Sequence, residues 1–240
     1  MMKRLLCLFM ILFATGQDVK REDIYKMSLE GITDFIIGLN ELAMSNTDFI
    51  HKHTANYSSE LQKDIRAGKH RENVHYYFLN NLERALQVKK PLAIPYWNWT
   101  IYADKPQLDP IFSHTLFGRE SDETGCLGGN FAAFFAYETE CVKRRAPSPY
   151  ADSIPLIREF MDRKSYTEAK PVLRTITNSV QTKFASYDSR TKFPRDPLHY
   201  LLISFELKLL YDWQTLHKVD IEDPKFDREF RFRNKGFYAN

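Results

Sequence analysis

The sequence predicts a mainly α fold, a helical bundle with long irregular loops. Apolar residues recur at steps of three and four along several segments, the period of a helix face packed on a core. From residue 101 to residue 145 that period gives way to Pro106, Pro110, Gly118, Gly125, Gly128 and Gly129, all turn signals. A chain of 240 residues with 43% hydrophobic and 27% charged content is long enough for one domain with a real core, and too apolar for disorder.

The chain opens MMKRLLCLFMILFATGQ. Lys3 and Arg4 form a basic start, Leu5 to Ala14 an apolar run, and Ala14-Thr15-Gly16 a small-residue exit, so residues 1–16 are expected to be a signal peptide and the protein secreted, extracellular. The run is too short to span a bilayer, and no later stretch is apolar enough to do so. Residues 17–219 then form one domain, and residues 220–240 a C-terminal tail that alternates charge with aromatics and could be a short strand or an arm.

Within the domain, KMSLEGITDFIIGLNELAMS places Ile32, Phe35, Ile36, Leu39 and Leu42 on one helical face, with Ser28 as its cap. The polar stretch FIHKHTANYSSELQKDIRAGKH is expected to be a helix end and a loop. VHYYFLNNLERALQ is amphipathic through Val74, Tyr77, Phe78, Leu82, Ala85 and Leu86, and Pro91 and Pro95 forbid its continuation. Helices are expected over 154–164 and 168–184, the second starting late because of Pro171. The last helix lies in DPLHYLLISFELKLLYDWQ, with a stripe of Leu198, Leu202, Phe205, Leu209, Trp213 and Leu216.

Charge gives no sign of a nucleic-acid partner. Removing Lys3 and Arg4 with the signal brings the net charge of +3 close to neutral, and no basic stripe interleaved with aromatics occurs. Phosphate loops, nucleophile elbows and zincin motifs are absent too. Of the three cysteines, Cys7 leaves with the signal, and Cys126 and Cys141 are expected to form one disulfide. It would close a loop of about 15 residues and contribute roughly 3 kcal/mol. A thiolate metal site is the alternative, without CxxC spacing to support it. Asn56-Tyr57-Ser58 and Asn98-Trp99-Thr100 are N-glycosylation sequons, the second in a hydrophobic context.

LERALQVKKPLAIPYWNWT, then DPIFSHTLFG, then DPLHYLLISFELKLLYDWQ resemble, in this order, the tyrosinase family of type-3 copper proteins, to which molluscan haemocyanins are related. Glu83, Leu86 and Pro95-Tyr96-Trp97-Asn98-Trp99 occupy the family's signature, with Asn98 in place of an aspartate. GCLGGNFAAF is similar to its Gly-rich stretch, and VKREDIYKMSLEGITDFIIGLNEL to its opening helix. The resemblance runs from about Val19 to Gln214. It implies a four-helix bundle holding two coppers, each on three histidines, with O2 bridging the pair. The implied activity is oxidation of phenols to quinones or reversible O2 carriage, and the implied small-molecule partner is a phenol or catechol.

The histidines supply only part of that set. His75, eight residues before Glu83, falls where the family has the third ligand of its first copper. The second falls on Arg66, with His70 the nearest imidazole, and the first on His53 or His51. His53, His70 and His75 are therefore the expected metal ligands, for at most one copper ion. For the second copper nothing matches. The histidine pair falls on Leu202 and Ile203, the aspartate that follows on Leu207, and no histidine lies between His114 and His199. His199 stands where the family has an aromatic, one turn ahead of the ligand. The expectation is a partial first site, a lost second one and no dicopper phenol oxidation; the rival is a working copper-dependent oxidoreductase. His114 and His217 are expected at the surface, Asp122, Glu123, Glu138 and Glu140 in a solvated loop, and Tyr96, Trp97 and Trp99 in the core.

Overall fold

A computed structural model of the chain describes residues 20–45, 57, 59, 62–63, 71–88, 91–119, 126–131, 142, 144, 146–184 and 196–218. The expected signal peptide and the whole of the 220–240 tail lie outside these residues. So do His51, His53, Asn56, Arg66, His70, Cys141 and the acids Asp122, Glu123, Glu138 and Glu140.

The fold is mainly α, as the periodicity predicts. Its helices are α1 (Leu29–Ser45), α2 (Arg71–Gln87), α3 (Ile154–Asp162), α4 (Tyr166–Phe184) and α5 (Leu198–His217). Among the described residues the extended pairing is a single parallel bridge between Asp23 and Tyr96. α1 packs on α2, α2 on α5, and α3 and α4 on each other and on α5. Ser28 caps α1 as expected: its hydroxyl accepts the Gly31 N–H at 3.0 Å and satisfies one of the free amides of the first turn.

α5 is the central element. Every residue from Leu198 to Leu207 is buried, so the helix meets neighbours all round and not along one stripe. Leu216, assigned to that stripe by spacing, is instead 59% exposed in the last turn. The helix ends at Lys218, whose left-handed φ of 53° returns its N–H to the carbonyls of Gln214 and Thr215.

Two further expectations need correction. α4 begins at Tyr166, ahead of Pro171. Pro171 and Thr167, whose carbonyl loses its helical partner, are both exposed, so water can take the lost bond, while Tyr166 and Ala169 are buried by the same turns. In the polar stretch expected to be a helix end and a loop, residues 57, 59, 62 and 63 are helical and Tyr57 is buried. Its ring packs 4.3 Å from that of Phe78, an apolar contact that outweighs the polarity of its neighbours.

The run after α2 is fastened to the bundle by a buried ion pair. Arg21 donates to both oxygens of Glu83, at 2.7 and 2.9 Å, and Glu83 also accepts the Ile94 N–H at 3.0 Å. Trp97 N–H reaches the Leu201 carbonyl of α5. Trp97 and Trp99 are wholly buried, in the core where the sequence places them. The Trp97 ring meets Phe112, Tyr150 and Phe184 edge to face, and its indole N–H is shared between Tyr25 Oη (2.8 Å) and Asp109 Oδ2 (3.1 Å). A second clamp closes the other side. Arg144 pairs with both oxygens of Asp196 and donates to the carbonyls of Phe117 and Gly118. Asp196 in turn accepts the N–H of Leu198, the first residue of α5, at 2.9 Å and so satisfies one of the helix's free amides.

Candidate functional site

α2 and α5 run antiparallel, as paired contacts show: Arg71 meets Glu206, and Phe78 meets Tyr200. Two helical spacings then aim polar groups at one place. Arg71 and His75 are four apart on α2, and His199 and Glu206 seven apart on α5, so each pair shares a face. The faces meet inside the bundle. Arg71 Nη2 donates to Glu206 Oε1 at 3.0 Å, and its Nη1 to Asn178 Oδ1 of α4 at 3.0 Å. His75 Nδ1 lies 3.3 Å from Glu206 Oε2. The Tyr57 ring covers the cluster, 5.8 Å from the His75 ring and 6.5 Å from that of His199. Beside it Glu72 accepts the Tyr166 hydroxyl at 2.8 Å and lies 3.5 Å from Arg174 Nε.

The electrostatics are those of a largely buried, charge-balanced centre. Arg71 and Arg174 offset Glu206 and Glu72. Burial works against the Arg71 charge, but Glu206 and then Glu72 outweigh it and hold its pKa above the usual value. Burial likewise opposes the Glu206 carboxylate, yet Arg71, followed by His75, holds its pKa well below the carboxylate range. Burial above all, helped by His75, pushes the His199 imidazole down to about 3 despite the attraction of Glu206, so at neutral pH it carries no charge. The Tyr57 phenol is pushed far up, by burial and then by Glu206, and stays protonated.

Hydrogen bonding is less complete than charge balance. His75 Nδ1, Glu206 Oε2 and Arg71 Nε are buried without a hydrogen-bond partner, and the 3.3 Å approach of the first two lacks hydrogen-bond geometry. Such atoms are uncommon in a folded interior and mark this cluster as the site to explain. His75, Glu206, His199 and Arg71 are all buried, so no reactant touches them in this conformation. The described apolar groove lies elsewhere, between α1 and the far end of α2, with Ile37, Gly38, Leu42, Ala85, Leu86 and Leu92 around a cavity of about 90 Å3.

His75, which the resemblance implies as a metal ligand, lies buried in the centre between α2 and α5. His53 and His70 lie outside the described residues, and among the described residues no three His, Cys, Asp or Glu side chains are grouped to hold a metal. Leu202, Ile203 and Leu207 are buried apolar positions. His114 is exposed as expected. His217 is not a plain surface residue: it is half-buried and its Nε2 lies 2.7 Å from the Met161 carbonyl, because the last turn of α5 crosses the end of α3. Asn98 is half-buried and its Oδ1 accepts the Thr100 hydroxyl at 2.6 Å, while Asn56 is outside the described residues. Cys126 is half-buried and Cys141 lies outside the described residues; the residues that follow them are joined, Leu127 N–H donating to the Val142 carbonyl at 2.7 Å.

Arg71, Glu206, Glu72 and Tyr57 are the members that sequence reasoning missed. Glu206 carried a signal: a lone carboxylate inside LLISFELKLL, seven residues after a histidine, is a buried acid awaiting a partner. No protein-family model and no curated protein matches the chain.

Proposed function

We propose that the chain is a secreted, tyrosinase-like helical protein that retains part of a first copper site and has lost the second. It works as a binding or structural protein without dicopper phenol oxidation. The observation that carries this reading is the apolar face of α5. Leu202, Ile203 and Leu207, which align with the second copper's histidine pair and the aspartate after it, are 1%, 0% and 0% exposed. Hydrocarbon offers copper no donor, and a bridged O2 needs both ions. The second copper therefore does not fit the residues present. At the first, His75 faces a carboxylate and a guanidinium. The Leu127–Val142 hydrogen bond favours the Cys126–Cys141 disulfide expected of a secreted chain.

The rival is a copper-dependent oxidoreductase acting on phenols or catechols, with one ion on His53, His70 and His75. What favours it is the buried Nδ1 of His75 that no hydrogen bond engages. Metal analysis of the secreted protein, combined with an o-diphenol oxidation assay, separates the two. The proposal expects at most one copper per chain and no turnover. Two coppers with quinone formation would overturn it, and one copper with turnover would establish the rival.

A further inference from the structure

We infer that Tyr25 is a one-electron oxidation site: an outer-sphere oxidant met at the surface takes an electron from its phenol while the hydroxyl proton passes to Asp109, leaving a neutral tyrosyl radical held in the fold. A phenol that gives up an electron becomes a strong acid. Where it is packed away from water the resulting charge is costly, so the electron leaves readily only where a base already holds the hydroxyl. Tyr25 has such a base. Its hydroxyl donates to Asp109 Oδ1 at 2.6 Å, the length of a charge-assisted bond. Asp109 is buried, and the Ile111 N–H and the Trp97 indole N–H donate to it as well, so both of its oxygens act as acceptors. Burial raises its pKa and makes it a readier proton acceptor. Tyr102, half-buried at the surface, meets the Tyr25 ring edge to face with 5.7 Å between ring centres and gives the electron a short way out. The proton moves across one hydrogen bond, and the tyrosine–carboxylate pair goes from singly negative to neutral as the electron departs.

The rings behind Tyr25 are placed differently. Trp97, Tyr150 and Trp99 follow one another edge to face at 6.1 and 5.6 Å, all wholly buried. Among the described residues neither the Tyr150 hydroxyl nor the Trp99 indole N–H has a hydrogen-bond partner, so neither has a base to receive its proton. Trp97 reaches Asp109 only over 3.1 Å, and the same N–H lies 2.8 Å from Tyr25 Oη, so an electron lost from Trp97 is replaced from Tyr25. Neither copper nor a phenolic substrate enters this step, which takes the inference beyond the proposed function.

The test is flash photolysis of the full chain with a ruthenium tris-bipyridyl sensitiser and persulfate, the radicals being frozen and read by electron paramagnetic resonance. The wild type should give a long-lived signal that ring-deuterated tyrosine narrows and ring-deuterated tryptophan leaves unchanged. Tyr25→Phe should lose it, and Tyr150→Phe should keep it. The signal should form more slowly in heavy water, because the proton moves with the electron. Asp109→Asn, whose amide cannot take the proton, should lose the signal too; if that variant does not fold, the heavy-water comparison on the wild type decides. A wild type without a long-lived signal overturns the inference, as does a signal that survives Tyr25→Phe or belongs to tryptophan. Equal rates in light and heavy water overturn it, and so does a folded Asp109→Asn protein with the wild-type signal. None of these outcomes depends on copper content or o-diphenol turnover, so the proposed function stands or falls separately.

Discussion

Helix α2 carries two buried arginine–carboxylate pairs, one near each end, and they are not equivalent. At the C-terminal end both oxygens of Glu83 are taken by Arg21, and the Ile94 N–H adds a third bond. At the N-terminal end Glu206 receives one nitrogen of Arg71, and its second oxygen faces His75 without a hydrogen bond. The difference lies in what surrounds them. Glu83 borders a loop, which brings an unspent backbone amide. The α2–α5 contact is helix on helix, where backbone amides are consumed within the helices. There only side chains can satisfy a charge, and three helices have to supply them. The same chemistry is a clamp in one place and an incompletely bonded polar centre in the other.

The largest expected effect separates the two by pH. His199 has a folded pKa of about 3 against an ordinary 6.5, so between those values the unfolded chain binds the extra proton. Its contribution is fully present above pH 6.5 and is lost as pH falls toward 3, on the order of 5 kcal/mol in all. Glu206, whose folded pKa is depressed, contributes stability that is full above 4.5 and lost only below it. Between pH 6.5 and 4.5 His199 therefore lowers the unfolding free energy while Glu206 does not, and His199→Gln should flatten the decline in urea titrations. An unchanged slope in that variant would remove the histidine from the centre's energetics. Next comes the clamp. Glu83→Ala strands Arg21 in the interior and should cost about 3–5 kcal/mol at neutral pH. Arg21→Met/Glu83→Met, which removes both charges, should recover most of it. If the double variant is as unstable as the single one, the pair matters for its shape and not for its compensated charge.

How much of this was legible depends on how local the signal is. Ser28, the period of α2 and the prolines after it fixed their elements because each acts on its own turn. Trp97 and Trp99 read as core because rings of that size demand burial. Tyr57 did not, because the ring that buries it, Phe78, is twenty-one residues away in sequence. Pro171 misled because the cost of a missing N–H and a ring clash was expected to stop the helix, whereas Thr167 is exposed to water and the same turns bury Tyr166 and Ala169. At the site His75, Leu202, Ile203 and Leu207 were singled out by the resemblance to a family motif, and all four are buried. Arg71 escaped because a charged residue at the start of an amphipathic helix ordinarily faces solvent. Only the packing of α5 and α4 on it reveals an interior residue.

A smaller effect tests the apolar face of α5. Ile203→Ala should cost about 3 kcal/mol in chemical unfolding, the range for deleting a wholly buried aliphatic side chain. A cost well below 1 kcal/mol would mean that this face of α5 is not tightly packed, and would reopen the space for a ligand. The smallest effects come from two tyrosines, and they return to the number of donors around a carboxylate. Tyr166 donates to Glu72 at 2.8 Å, beside an Arg174 nitrogen 3.5 Å away. Tyr25 gives Asp109 a bond of 2.6 Å, but Asp109 also accepts from Ile111 N–H at 2.9 Å and Trp97 Nε1 at 3.1 Å. Tyr166→Phe should therefore cost about 2 kcal/mol, within the range for a bond to a charged group, and Tyr25→Phe about 1 kcal/mol, that of an ordinary bond. Denaturant midpoints of the two variants, measured together, decide whether donor count governs the cost. Equal losses would mean that burial of the acid, which the two sites share, matters more than the partners each retains.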